Sequence, residues 1–140
     1  MRPGIVACAL LLTVFTTGAQ AQNPDLSTKQ KFVVALQNAI RADDKNWLAD
    51  RMSYPVNYFG KRKVVIRNRA AFISNYSSFL SPKLRASVLA QDPANVFENW
   101  QGVMIGGGNQ NIWVTKVGDA DNAPYQIITI NDADPPAGGK

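Results

Sequence analysis

The sequence predicts an α+β fold in which helices come first and an antiparallel meander closes the chain. Three observations carry this reading. Apolar residues between 28 and 54 recur at helical spacing, and from Val56 the period changes to two. After residue 95, apolar runs alternate with turns rich in Gly, Asn and Pro.

Each element follows from its local chemistry. Ser27-Thr28-Lys29-Gln30 matches a capping box, with the Ser27 hydroxyl accepting from the Gln30 amide. Behind it Phe32, Leu36, Ala39 and Ile40 form a helical stripe that Val33 and Ala35 widen. Asp43-Asp44 introduces a short second helix carrying Trp47, Leu48, Arg51 and Met52, and Pro55 ends it by about Tyr54. Val56 and Tyr58 then alternate with Asn57 and Phe59, Gly60 turns the chain, and a strand runs from Arg62 to Arg67. In that strand Arg62, Val64 and Ile66 share one face, and Lys63, Val65 and Arg67 the other. Asn68 caps a third helix with the stripe Ala71, Phe72, Tyr76 and Phe79. Ser81-Pro82 starts a turn or short helix reaching about Leu89.

Residues 95–105 read as one strand or a broken pair, with Gly102 at a bulge or bend. Gly106-Gly107-Gly108-Asn109 makes a hairpin loop into a strand over 111–117, and a polar loop leads to a last strand over 125–130. Residues from Asp132 onward, with two Pro and two Gly, read as a flexible tail.

Composition narrows the chemistry. The chain has 140 residues, 15 Lys+Arg against 10 Asp+Glu, one Cys and no His. Without His there is no Ser-His-Asp triad, no Cys-His pair and no imidazole metal site, and one Cys makes no disulfide. No metal or cofactor is expected. Gly106-Gly107-Gly108 leads into a strand and not a helix, so it does not form a phosphate cradle. Residues 1–21 have the pattern of a secretory signal peptide: Arg2, the apolar stretch from Ile5 to Phe15, then Ala19-Gln20-Ala21 as a cleavage site. Cleavage after Ala21 removes Cys8 and leaves a cysteine-free domain over 22–132 with a tail over 133–140, located in the periplasm or secreted. Membrane contact is expected only for the precursor.

The segment from Phe97, FENWQGVMIGGGNQNIWV, resembles a pattern in small exported bacterial members of the nuclear transport factor 2-like superfamily. There a Gln-Gly-Val-Met-Ile-Gly run is followed closely by an Ile-Trp strand. The upstream order agrees: an opening helix, a short helix ending near Tyr54-Pro55, a hairpin, and a helix led by Arg69-Ala70-Ala71-Phe72. The resemblance covers about Ser27 to Asp132. It implies a strongly curved antiparallel sheet wrapped around about three helices, cone-like and with an internal pocket. The superfamily includes isomerases, dehydratases and cyclases beside many binding and accessory domains, so fold alone does not select an activity. Its catalysts use an Asp with a Tyr or a His, and this chain has no His.

Three groups of side chains are candidates for function. In a cone, Trp47, Tyr54, Tyr58, Trp100 and Trp113 would line an apolar ligand pocket, although single rings more often serve as core. Tyr76 and Tyr125 belong to the same aromatic set. Trp100, between Asn99 and Gln101, has the least core-like surroundings. Lys61, Lys63, Arg67 and Arg69 make a basic strip suited to an anionic partner, although such a run is commonly a solvated sheet face. Nucleic acid is excluded as a partner by the leader and by the lack of interleaved aromatics. Asp50 and Glu98, the only glutamate, are the carboxylates that could pair with Tyr54 or Tyr58 as a catalytic acid and base. Together these readings lead to an exported non-catalytic binding or accessory domain. Its partner would be a small apolar ligand or a protein, in an inhibitor or immunity role, and it could form a homodimer through its sheet. The alternative is a small isomerase-, dehydratase- or cyclase-type enzyme.

Overall fold

A computed structural model describes residues 28–133. The leader at 1–21, the Ser27 end of the expected capping box and the tail at 134–140 lie outside the described residues. The order is α1 (Lys29–Arg41), α2 (Lys45–Asp50), β1 (Met52–Phe59), β2 (Lys63–Ile66), α3 (Arg69–Ser74), α4 (Tyr76–Phe79), α5 (Pro82–Leu89), β3 (Phe97–Asn99), β4 (Gly102–Gly107), β5 (Gln110–Lys116) and β6 (Tyr125–Asp132). The class is α+β, with one six-stranded sheet in the order β2-β1-β6-β5-β4-β3. The sheet is open, with β2 and β3 at its edges. It is mixed and not purely antiparallel, because β1 pairs parallel with β6 while every other pair is antiparallel.

The helices begin where their capping residues stand. The N-cap of α1 is Thr28, whose side chain accepts from Lys31 N, and not Ser27 as the capping-box spacing suggests. Asn68 caps α3 by accepting from Ala71 N, and Ser81 caps α5 by accepting from Leu84 N with Pro82 at the first position. Among the described residues five helices stand where about three are expected, for two reasons. Ser81-Pro82 opens a full two-turn helix. In addition, the Asn75 side chain donates to Ala71 O while its own N–H reaches back to Phe72 O, which splits the third helix into α3 and α4. The second helix is shorter than expected and ends at Asp50. Met52 pairs instead with Ile127, and Ile127 N donates to Arg51 O at 2.7 Å. The strand bonds that open β1 take the place of another helical turn.

One face of the sheet packs on α1 and α5. Phe32, Leu36 and Ile40 of α1 and Leu84 and Val88 of α5 are fully buried against Val103, Ile105, Ile112, Val114, Ile127 and Ile130. Phe72 of α3 stacks on Phe79 of α4, ring centroids 6.1 Å apart, and extends this core toward β2. Ile127 and Ile130 both face inward despite a spacing of three. Val114 pairs with Ile127 and Trp113 with Thr129, so Ile128 is an extra residue that reverses the alternation. Gln37, buried on α1, donates to Val88 O, which also accepts from Gln91 N, and to Gln91 O just beyond α5, and so ties the two helices together.

Registers across the strands define two rows of side chains. Ile105, Ile112, Ile130, Tyr58 and Val64 lie opposite one another on the helix side. Phe97, Met104, Trp113, Thr129, Asn57 and Val65 form the row on the outer side. The inner row is fully buried in β4, β5 and β6 but only partly covered at Tyr58 and exposed at Val64. There the helices leave the sheet uncovered.

Glycine is required at two bends. The β4–β5 hairpin has Gly108 with φ of 59° at the first of its two loop residues. Gly102 has φ of 139°, and a Cβ there would lie 2.4 Å from Val114 O. Gly102→Ala is therefore expected to destabilise the domain by ~2 kcal/mol or more. Gly107→Ala, with nothing within 4 Å of the added carbon and no positive φ, should change stability by no more than about 0.5 kcal/mol. Urea unfolding of both variants tests this, and equal midpoints would refute it.

Candidate functional site

Where the helices leave the inner row uncovered there is a cleft of about 540 Å³ between the β1–β2 hairpin and the α4–α5 junction. Tyr58 and Val64 come from the sheet, Lys61 and Arg62 from the hairpin turn, Phe79 and Ser81 from the helical side, and Asp132 from the end of β6. The parallel pairing of β1 with β6 sets Tyr58 opposite Ile130, so Asp132 emerges beside the phenol. A β-strand places residues two apart on one face, and Asp132 follows Ile130 on that face.

Asp132 anchors the floor of the cleft. Its Oδ1 accepts from Ser81 Oγ at 2.6 Å, and its Oδ2 accepts from Ser81 N and from the Tyr58 hydroxyl, each at 3.2 Å. The Tyr58 hydroxyl lies equally close to Ser78 O, at 3.1 Å, and its single hydrogen is shared between the two acceptors. Ser81 Oγ also receives Leu84 N, so one serine caps α5 and fixes the carboxylate. The Tyr58 phenol is pushed up to about 12, first by burial and then by the negative charge of Asp132 and its hydrogen bond. It therefore keeps its proton and acts as a hydrogen-bond donor. The ring of Tyr58 meets Phe79 edge-on at 5.1 Å, which gives the cleft an apolar wall.

The expected site residues are distributed over several parts of the molecule. Tyr58 lines this cleft. Trp47 packs at 6.0 Å from Phe32 with the Arg51 guanidinium over its face, on the α1–α2 side of the core. Tyr54 donates to Ala49 O at 2.8 Å. Trp113 stands on the outer sheet face, with Phe97 edge-on at 6.2 Å, and Trp100 is at the β3–β4 turn. The carboxylates expected to meet Tyr54 or Tyr58 are committed to cations: Asp50 to Arg69 at 2.8 Å and Glu98 to Lys29 at 2.9 Å. Among the described residues, Asp132 is the carboxylate that reaches Tyr58.

The basic strip divides in the same way. Lys61 lies in the turn before β2 and lines the cleft with Arg62. Lys63 sits over the Phe59 ring at 5.4 Å, on the opposite face from Tyr58 and Val64. Arg67 is exposed beyond β2, and Arg69 is held by Asp50 and by Asn46 Oδ1 at 2.9 Å.

Two residues of the site, Asp132 and Ser81, escape sequence reasoning. Asp132 stands at the boundary where the sequence reads domain passing into tail, past the expected end of the last strand at 130, although it keeps the two-residue spacing from Ile130. Ser81 is legible only as a helix start. A second polar cluster holds the helices together elsewhere: Asp43 accepts from Arg85 and, at 3.1 Å, from the Tyr76 hydroxyl. The Arg85 hydrogen bond, then that of Tyr76, holds the Asp43 carboxyl below its usual range. Arg85 also donates to Ile40 O at 3.0 Å and caps the end of α1.

Comparison of the chain with protein-family models, with curated proteins and with solved structures gives no match in any of the three.

Alkaline pH tests the geometry. An unfolded tyrosine ionises near 10, while folded Tyr58 holds its proton to about 12. Between those values the unfolded state has lost a proton that the native state keeps, so stability falls as pH rises. Melts from pH 9 to 12 should show a smaller alkaline loss in Tyr58→Phe than in the wild type. Parallel curves would refute the assigned environment.

Proposed function

We propose that this chain is an exported, non-catalytic binding domain that holds a small molecule with an apolar body and an anionic end in the Tyr58 cleft. Its sheet and helices would form the cone of the nuclear transport factor 2-like superfamily, and the register shifts in the β1–β6 and β5–β6 pairs favour the curvature a cone needs.

The observation that carries the binding reading is the distribution of polar groups around the cleft. The floor is internally satisfied, because Asp132, Ser81 and Tyr58 bond to one another. The mouth carries the exposed cations Lys61 and Arg62. Phe79, Val64, Pro82 and the Tyr58 ring offer apolar surface for a ligand body, and a site of this volume is in the range for small-molecule pockets. An anionic end at the mouth would meet Lys61 and Arg62 without disturbing the floor. The same mouth suits an acidic side chain of a partner protein, which is the form an inhibitor or immunity protein would use.

One observation favours a second reading, an isomerase-, dehydratase- or cyclase-type enzyme. Tyr58 Oη and Asp132 Oδ2 lie 3.2 Å apart at the cleft, within reach of a common substrate. Against it, both Asp132 oxygens already accept hydrogen bonds. The tightly held Tyr58 proton also suits donation better than general-base work.

Titration with anilinonaphthalene sulfonate, an aromatic body with one anionic group, tests the proposal. Saturable fluorescence is expected at low salt, with competition by decanoate and weakening as salt rises. The double variant Lys61→Ala/Arg62→Ala should lose about tenfold in affinity, equivalent to ~1.4 kcal/mol, whereas Arg67→Ala should lose none. Undiminished binding in the double variant would remove the cleft from consideration.

A further inference from the structure

At the far edge of the sheet from the Tyr58 cleft, the turn between β3 and β4 presents Trp100 with 91 % of its surface exposed. Tryptophan is highly buried on average, so an indole left in water is an informative exception. Beside it lies a hollow of about 150 Å³ lined by Glu98, Asn99, Trp100, Thr115, Lys116 and Tyr125. Gly102 forms part of its wall and contributes no side chain, and the nearby Val114 carbonyl leaves no room for one.

The polar groups around this hollow retain unused hydrogen-bonding capacity. Asn99 spends its Oδ1 on Gln101 N at 2.8 Å, which leaves both hydrogens of its Nδ2. Glu98 spends Oε2 on Lys29 and keeps Oε1. Among the described residues, the Thr115 and Tyr125 hydroxyls make no side-chain hydrogen bond. Lys116 donates to Asp121 O at 3.1 Å and lies over the Tyr125 ring at 5.7 Å, so it closes one side of the hollow.

A flat apolar surface bordered by both donors and acceptors matches one ligand class closely. A pyranose ring has a C–H face that packs on an aromatic π-cloud, while its rim of hydroxyls donates and accepts in the ring plane. The hollow is smaller than the roughly 300 Å³ at which drug-sized sites begin, and one sugar ring lying partly over the indole suits it. A lipid surface would call for a wider apolar patch with unopposed cations. Here Glu98 offsets Lys29, and the exposed apolar surface beside the indole is a single half-exposed ring, Phe97, edge-on to Trp113.

We propose that the Trp100 hollow is a saccharide-binding subsite. One pyranose stacks on the indole, and its hydroxyls are met by Asn99, Thr115, Tyr125 and Glu98. It is separate from the Tyr58 cleft and does not depend on that assignment.

Titration of the full-length chain with N-acetylchitotriose, cellotriose and maltotriose, followed by tryptophan fluorescence and calorimetry, tests this. At least one is expected to saturate with a Kd of about 1 mM or tighter. Trp100→Ala should weaken that binding by about tenfold or more, with its circular dichroism and melting temperature unchanged. Asn99→Ala should weaken it by about threefold, and Lys61→Ala/Arg62→Ala should leave it intact. Three outcomes would overturn the proposal: no saturation with any of the three sugars, binding indifferent to Trp100→Ala, or Trp100-dependent binding to phosphatidylglycerol vesicles without saccharide binding.

Discussion

The parallel pairing of β1 with β6 is the constraint on which the rest of this molecule depends. It joins the first strand to the last, so the helices α1 and α2 that precede β1 are tied to the meander that ends the chain. It also sets the inner row Ile105, Ile112, Ile130, Tyr58 and Val64, in which a continuous apolar core becomes a partly open cleft at its β1 end. Parallel strands cannot be joined by a tight turn, and here the connection carries β2, three helices and three strands. That long excursion places α5 across the sheet, with Ser81 at the start of α5 against Asp132.

The two candidate sites follow from the two ends of one sheet. At the β2 side, the helices stop short and leave an apolar recess with cations at its mouth. At the β3 side, a two-residue turn leaves an indole in water next to polar groups with spare bonding capacity. Between them Gln37 bonds to carbonyls at the end of α5 and Arg85 to one at the end of α1, while the buried Arg51 Nε has no hydrogen-bond partner among the described residues. Both candidate sites lie at the edges of the core, but the floor of the Tyr58 cleft is also structural, since Ser81 caps α5 and the Tyr58 ring packs on Phe79.

Much of the local structure was legible because it depends on neighbouring residues. Asn68 and Ser81-Pro82 mark helix starts through their own side chains, and Gly108 marks the hairpin because only its backbone adopts the turn easily. The separate faces of Val64 and Lys63 followed from strand alternation. The misreadings arise where a distant residue decides. Met52 reads as helix until Ile127 pairs with it. Ile127 and Ile130 violate two-residue alternation until the bulge at Ile128 is seen. Asp132 resembles tail because its partners, Tyr58 and Ser81, lie 74 and 51 residues away. The ion-pair partners of Asp50 and Glu98, Arg69 and Lys29, lie 19 and 69 residues away, and no local spacing reveals them.

The sequence alone determined that this is an α+β chain without histidine. It also determined where α3 and α5 start and where glycine must bend its strands, because these depend on backbone sterics and side chains a few residues apart, whereas the cap of α1 stands at Thr28 and not at Ser27. Only the tertiary structure decided which tyrosine meets which carboxylate, which lysine faces a cleft and which tryptophan stays in water. Those outcomes depend on the parallel β1–β6 pair, on the register shifts in the β1–β6 and β5–β6 pairs and on where the edge turns fall, long-range choices whose free energy comes from burying the sheet against α1 and α5 and not from any local motif.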